Sequence, residues 1–372
     1  MKIGFIYNAR FNILSAFQEP VSNSIIAISH LAIELAKLGH DVTIFSQTEQ
    51  NISAFGVRGC RINISNQILN LDEAILEPDY DALIIKNDSA EFLISIKNSL
   101  PTANKLFLWT EYDYLEPINQ GLRDLAKQSE ITGIICTSNW QRARLVTRFQ
   151  IMPQKIITLH HAVTPEFENL FVDAKEFISL KSKVPLLAYT GSALSGLEIF
   201  LEAFGDVRNS YPNAVLDVYA RDEQTAEAQR IYKQIKANKG INLIANLSTI
   251  KLAGLIRTHN MLVFPSLVEE AYNTDILNAM AAGLYVITSD CGCIPEYCFE
   301  HGKCIVEKKL HNETLDGFVG QTLAICQTQI HNPEAFYDYC FKQLIFVNKN
   351  HTWRIRAREW EQALRVFLQP PQ

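Results

Sequence analysis

The sequence lacks the features that would tie it to a membrane, to nucleic acid or to a nucleotide-binding P-loop. No apolar stretch reaches the ~18 residues that a helix needs to cross a bilayer. The N-terminus, MKIGFIYNAR, has a short apolar run without the long core and cleavage pattern of a signal peptide, and it reads as a first strand. A cytoplasmic protein is expected, in which triplets such as Asn63-Ile64-Ser65 carry no meaning as glycosylation sites. The net charge of −6 argues against nonspecific attraction to nucleic acid or to an anionic membrane. Basic residues gather only locally, with Arg142, Arg144 and Arg148 on one predicted helix and Arg354, Arg356 and Arg358 on another, and these read as solvated helix faces. There is no Walker A lysine after a glycine and no GxGxxG, so neither a P-loop enzyme nor a dinucleotide dehydrogenase is indicated. Internal repeats and low-complexity segments are also missing.

What is present is an ordinary globular composition of some size. The 372 residues are 48% hydrophobic and 20% charged, and about two domains are expected from that length. Short β-rich runs alternate with amphipathic helices, the pattern of parallel βαβ units. In the first half the expected strands are Lys2–Tyr7, Asp41–Phe45, Ala82–Ile85, Lys105–Trp109, Gly133–Cys136 and Ile156–Leu159. Ser24–Leu38 reads as a helix stopped by Gly39, and Ser138 as the cap of a helix over Trp140–Phe149. His161-Ala162-Val163-Thr164-Pro165 breaks the periodicity as a hinge. The rhythm restarts with Pro185–Tyr189, Val215–Tyr219, Ile241–Ile244, Met261–Phe264 and Tyr285–Thr288, and a long amphipathic helix, Trp353 to Leu368, closes the chain.

Eight cysteines divide into two groups. Cys60, Cys136, Cys326 and Cys340 lie in apolar surroundings and read as reduced core residues. Cys291, Cys293, Cys298 and Cys304 cluster, with His301 between the last two. A zinc site is one reading, but Cys291-Gly292-Cys293 is tighter than the usual ligand spacing. Packed thiols are the other, and no metal is expected.

The richest stretch is Phe264 to Glu296, FPSLVEEAYNTDILNAMAAGLYVITSDCGCIPE. It reads as strand end, loop, helix, glycine stop and a second strand. Gly283 closes the helix where a left-handed backbone costs least. Glu269 and Glu270 fall in the loop at the carboxyl end of a parallel strand, where open α/β sheets bind ligands. This segment resembles the donor-site signature of family-4 glycosyltransferases. Pro265-Ser266, Glu270, Ala279-Met280-Ala281-Ala282-Gly283, Ser289-Asp290 and Ile294-Pro295-Glu296 keep its order and spacing, while Asn278 stands where the Glu-x7-Glu pattern has its second glutamate. The resemblance continues through Trp109-Thr110 with Pro117, Thr137-Ser138-Asn139-Trp140-Gln141 and Thr164-Pro165-Glu166-Phe167. It extends to Ala188-Tyr189-Thr190 with Gly196-Leu197, and to Trp353-Arg354 with Ala357-Arg358-Glu359-Trp360.

That resemblance implies an α/β protein of the GT-B class, two Rossmann-like domains facing each other across a cleft. It places an acceptor-side domain at 1–163, a nucleotide-sugar domain at 164–350 and a returning helix at 351–372. It implies transfer of a sugar from a nucleotide-sugar substrate to a glycan or other soluble acceptor, with retention of configuration and without metal or cofactor. Glu270 would hold the sugar hydroxyls, Tyr272, Asn273 and Thr274 would contact the donor, and Asn278 would meet the ribose. Gly191, Ser192 and Ser195 would present the diphosphate with backbone N–H groups. His161, at the end of the last strand of the first half, is either a catalytic residue or hinge packing, and Asp113 a group that positions the acceptor. Three departures gather on this one site. No glycine occurs from Asn8 to Ser24, no basic residue from Tyr189 to Leu197, and Asn278 replaces a carboxylate. A basic residue arriving from elsewhere, such as Arg221 or Lys251, would complete an enzyme. Without one, the alternative is a pseudoenzyme that binds a partner glycosyltransferase or a glycan. Phe11, Ile13 and Phe17 either line an acceptor site or pack, and packing is the expectation.

Overall fold

The computed structural model describes residues 1–17, 21–65, 68–70, 80–99, 105–220, 223–245, 247–298, 301–305 and 311–369. Arg221 therefore lies outside the described residues, and Lys251 sits exposed on the helix Thr249–Ile256. The chain divides into two compact units, Met1–Ala162 with Trp353–Gln372, and Val163–Thr352.

The strands of the first unit are β1 (Lys2–Tyr7), β2 (Asp41–Ser46), β3 (Val57–Arg61), the short β4 (Asn63–Ser65) and β5 (Ile68–Asn70), β6 (Ala82–Lys86), β7 (Leu106–Thr110), β8 (Gly133–Cys136) and β9 (Ile156–Thr158). Seven form one parallel sheet in the order β3-β2-β1-β6-β7-β8-β9, while β4 and β5 make a separate antiparallel hairpin. Strand order reverses at β1, so the crevice between the carboxyl ends of β1 and β6 is the place for a ligand. Both faces of the sheet are covered, and the side-chain alternation of a strand fills both cores. Ile3 and Phe5 enter one, Ile6 the other. The helix Trp353–Leu368 packs on the first through Trp353, Ala357, Trp360, Ala363 and Leu364. Its Trp360 ring meets Trp109 edge-on at 4.8 Å. Phe11 and Ile13 are core residues, whereas Phe17 is partly exposed and packs against the His30 and Phe55 rings.

The second unit holds β10 (Leu186–Gly191), β11 (Val215–Ala220), β12 (Ile241–Ala245), β13 (Met261–Phe264), β14 (Tyr285–Ser289) and β15 (Lys303–Ile305). They form a parallel sheet ordered β12-β11-β10-β13-β14-β15, a Rossmann order with its reversal between β10 and β13. The expected strands are all present. Those not anticipated, among them β3 and β15, are short or carry charge. Ser138 caps its helix by accepting from Gln141 N at 3.1 Å, and Gly283 adopts φ +67° with Phe177 packed where a side chain would stand.

The arginine groups depart from the expected solvated faces. Arg356 is buried and pairs with Glu359 at 2.5 Å. Arg144 lies over the Tyr114 and Trp140 rings, and Arg142 donates to the carbonyls of Ile156 and Pro153. Only Arg148, Arg354 and Arg358 are fully surface residues.

Lys181 shows how the second unit is tied together. It is buried, and Nζ donates to the carbonyls of His259 at 2.7 Å and Ala282 at 2.8 Å, the latter at the end of the helix Thr274–Ala281. A cation there satisfies orphan carbonyls and suits the helix dipole. Burial nevertheless pulls its pKa down to about 7. The folded pKa then lies below the unfolded one, so the unfolded state binds the extra proton and stability rises with pH between about 7 and 10.5. Melting curves of wild type and Lys181→Met should therefore diverge in favour of wild type as pH is raised through that window. A constant difference would show that Lys181 stays charged in the folded state.

Candidate functional site

The carboxyl ends of β10 and β13 carry the two loops in which most of the expected site residues lie. After β10 the chain needs glycine twice. Gly191 has φ +110°, with the Asp275 carboxylate 3.5 Å from the place of a Cβ. Gly196 has φ +86°, and a Cβ there would stand 1.7 Å from the Pro265 carbonyl oxygen, so the start of the helix Leu197–Ser210 sits directly on the β13 loop. Tyr189, fully buried under this loop, donates its hydroxyl proton to Ser192 O at 2.6 Å. Ser192 Oγ accepts from Leu194 N at 3.1 Å, and Ser195 is buried. The Ala193 N–H points to a carboxylate of the chain itself, Glu223 Oε2, at 2.9 Å.

The second loop is built around Glu270 and Asn273. Asn273 caps the helix Thr274–Ala281 by accepting from Ile276 N at 3.0 Å, and its Nδ2 donates to Glu270 Oε2 at 2.7 Å. One amide thus starts the helix and aims the carboxylate. Glu269 is exposed and Glu270, which Asn273 holds, is half-buried. The Glu270 carbonyl accepts from Cys293 N at 3.1 Å, and Gly292, at φ +61°, leaves room for this approach, since a Cβ would lie 2.7 Å from Glu270 N. The tight Cys-Gly-Cys spacing thus accompanies a close backbone approach. Cys291, Cys293 and Cys298 are buried thiols outside any disulfide, burial and the nearby Glu270 charge pushing the Cys293 thiol well up. His301 packs against the Tyr339 and Phe346 rings, and the Cys304 side chain lies outside the described residues. No three potential ligands gather for a metal among the described residues.

Asn278 is engaged at both ends of its amide. Oδ1 accepts from Thr164 N at 2.9 Å and Nδ2 donates to Thr164 Oγ1 at 3.0 Å. A carboxylate has no proton for the second of these bonds. Tyr272 is half-buried and Thr274 buried in the same stretch. The electrostatic character of the site is acidic. The Tyr189 phenol is pushed well above its usual value by burial first, then by the Asp275, Glu270 and Glu223 carboxylates.

Asp113 and His161 belong to the first unit. Asp113 Oδ1 accepts from Tyr114 N at 2.7 Å and faces Arg144 Nε at 3.6 Å. His161 is only 1% exposed, and its Nε2 lies 2.9 Å from Glu111 Oε1. Glu111 is the centre of a network that sequence reading did not assemble. Its Oε1 also faces Lys86 Nζ at 2.5 Å, while Oε2 accepts from Asn87 Nδ2 at 2.6 Å and from Ser24 Oγ. Asn87 adopts φ +52°, a conformation asparagine tolerates, and its Oδ1 accepts from Glu111 N at 2.8 Å. Lys86 lies 3.3 Å from the centre of the Trp109 ring. Burial would raise the Glu111 carboxyl, but the Lys86 charge and the His161 hydrogen bond outweigh it and hold it well below the carboxylate range. Burial lowers Lys86 to about 8 and keeps His161 neutral. The one signal in the sequence was a lysine ending an otherwise apolar strand, Ala82–Lys86, with Asn87 after it.

Residues 184–319 match the family model described as glycosyl transferases group 1. A glycosyltransferase from Rickettsia africae superimposes over 100% of both chains at 14% identity with a TM-score of 0.75. Sucrose-phosphate synthase from Thermosynechococcus elongatus covers 98% of this chain and 99% of its own at 14% identity and a TM-score of 0.70. Anabaena HepE, solved with UDP and glucose, covers 98% of this chain and 99% of its own at 12% identity and a TM-score of 0.67. At such identities the likeness establishes the fold, which is GT-B. No curated protein matches the sequence.

The loop geometry makes a sharp stability contrast. Gly196→Ala should lower the melting temperature by roughly 10 °C, from a clash added to a left-handed backbone. Gly205→Ala, in the same helix with nothing within 4 Å of the new Cβ, should raise it by about 2–4 °C. Calorimetry of the two variants checks both signs.

Proposed function

We propose that this chain is a glycosyltransferase that takes a sugar from a nucleotide-sugar at the β10–β13 switch point and passes it to an acceptor bound by the first unit. The observation that carries the reading is the placement of Glu270, held by Asn273, beside the Gly191–Ser195 loop at the reversal of strand order, within the segment that matches the glycosyl transferases group 1 model. A half-buried carboxylate at that end of the sheet suits the hydroxyls of a sugar. In this reading Tyr272, Asn273 and Thr274 adjoin the donor, while the backbone of Gly191, Ser192 and Ser195 faces its diphosphate. Asn278 serves the ribose only by leaving Thr164. That HepE was solved with UDP and glucose supports a nucleotide-sugar as the ligand. Stabilising charge on the departing diphosphate is the main demand on such a site.

Retention of configuration, independence of metal, a cytoplasmic setting and a soluble glycan acceptor are parts of the same proposal. No helix among the described residues is long and apolar enough to cross a membrane. Product configuration is read by proton NMR, and turnover in a chelator tests the metal. One observation favours a second reading. The Ala193 amide, within the Gly191–Ser195 loop proposed to face the diphosphate, is held by Glu223, and Asn278 is held by Thr164. A GT-B protein whose donor groups are occupied in this way would serve as a binding partner of another glycosyltransferase or of a glycan.

Thermal shift with UDP, GDP, ADP and their sugars separates the two. One sugar nucleotide should raise the melting temperature of wild type by several degrees and leave Glu270→Ala unmoved. No shift from any of them at millimolar concentration would sink the donor site and leave the second reading. Glu223→Gln should bind the same diphosphate about tenfold more tightly, ~1.4 kcal/mol, because a competing charge is removed. Unchanged affinity would show that the phosphate does not use the Ala193 amide.

A further inference from the structure

We propose that this protein self-associates through β12, the Ile241–Ala245 edge of the second sheet, which pairs antiparallel with β12 of a second copy about a two-fold axis at Leu243. The inference does not depend on the glycosyltransferase reading.

An edge strand turns the N–H and C=O of every second residue away from its sheet, where they template pairing with another strand. The two parallel sheets have four edges, β3, β9, β12 and β15. Three of them are guarded. The chain seals β3 with the segment that precedes it. Val57 exchanges N–H and C=O bonds with Ala54, Gly59 N donates to Ser53 Oγ at 3.4 Å, and Arg61 N donates to Asn51 Oδ1 at 2.7 Å. β9 is three residues long, and Arg142 Nε occupies the Ile156 carbonyl at 3.1 Å. β15 is also three residues long and begins on a lysine, Lys303. Short strands and basic residues are ordinary guards of a sheet edge.

β12, INLIA, has none of these devices, being five residues long with no charge and no proline. Leu216 N donates to Gly240 O at 2.9 Å, so the ladder to β11 uses Gly240, Asn242 and Ile244. The N–H and C=O of Ile241, Leu243 and Ala245 therefore point away from the sheet, and among the described residues nothing reaches those of Ile241 and Leu243. Charge identifies the occupant. A two-fold axis sets a strand against its own sequence, so a charged edge such as VRGCR would meet its own charges, whereas β12 meets none. Pairing about Leu243 puts that residue against its counterpart, Ile241 against Ala245 of the second copy and Asn242 against Ile244. The first two kinds of pair each exchange two N–H···O bonds. Leu243 and Ile244 are half-buried and gain cover on pairing. The Asp217 carboxylate on β11 is already engaged, by Asn242 Nδ2 at 2.7 Å and His259 Nε2 at 3.0 Å.

Sedimentation velocity on the full chain, from micromolar to hundreds of micromolar, reads the association. Wild type should pass from monomer to dimer across that range, and its Ile241 and Leu243 amides should exchange hydrogen several-fold more slowly at the high end. Leu243→Lys and Leu243→Glu, whose substituted side chains meet across the axis, should each weaken dimerisation about tenfold while melting as folded chains. An equimolar mixture of the two should form a heterodimer, which a role in folding alone does not produce. A wild type that stays monomeric throughout overturns the proposal and leaves β12 to a strand of a different protein. Exchange at Ile241 and Leu243 that ignores concentration overturns it too, as does a dimer unmoved by both substitutions or a mixture that remains monomeric. Should either variant fail to fold, the exchange measurement on wild type decides alone.

Discussion

A single buried carboxylate organises the carboxyl end of the first sheet. Glu111 ties the end of β7 to the end of β6, to the helix that begins at Asn23 and to the segment after β9, through Lys86, Asn87, Ser24 and His161. Taking such a charge out of water costs several kcal/mol, and only full pairing offsets it. The structure meets that requirement with an ammonium, an imidazole, an amide and a hydroxyl, and accepts a left-handed Asn87 to do so. Lys86 depends on Glu111 as much as the reverse, because a lysine with no exposed surface and no counter-charge would have to give up its proton. The geometry at the switch point is thus a consequence of one electrostatic condition.

The second unit solves the same topological problem by interlocking backbone. Three loops meet at the ends of β10, β13 and β14, and two of the contacts leave no room for a side chain, Gly196 on Pro265 and Gly292 on Glu270. Asn273 adds the fixed element, a cap that also holds Glu270. In both units a carboxylate of the chain occupies ground that a Rossmann-like sheet usually leaves to a phosphate, Glu111 at Ser24 and Glu223 at the Ala193 amide. The two differ in consequence. Glu111 is buried and paired with a cation, a permanent part of its unit, whereas Glu223 is half-buried and held by a single backbone N–H.

Much of the fold was legible because the signals are local. KIGFIY is a buried parallel strand on its face, Ser138 a cap, and Gly283 a helix stop, each a matter of a few adjacent residues. The strand β3, VRGCR, was not legible, since two arginines and a glycine on a sheet edge make no apolar pattern. The clustered cysteines were ambiguous for a related reason. Spacing alone does not distinguish a ligand pair from a glycine turn pressed against another loop. Of the site, the stretch around Glu270 was readable as a motif, and the half-held motif at Asn278 was readable as a departure. Its bonds to Thr164 were not, because 114 residues separate the partners.

By itself, then, the sequence determined the alternation of strands and helices, the two sheets and the loop that carries Glu270, all of which follow from periodicity and turn chemistry within a short window. Only the tertiary structure decided which polar groups are paired. Glu111 with Lys86 and His161, Glu223 with Ala193, and Asn278 with Thr164 join residues distant in the chain. The strength of such pairings depends on burial and on angstrom-scale distances that no local pattern encodes.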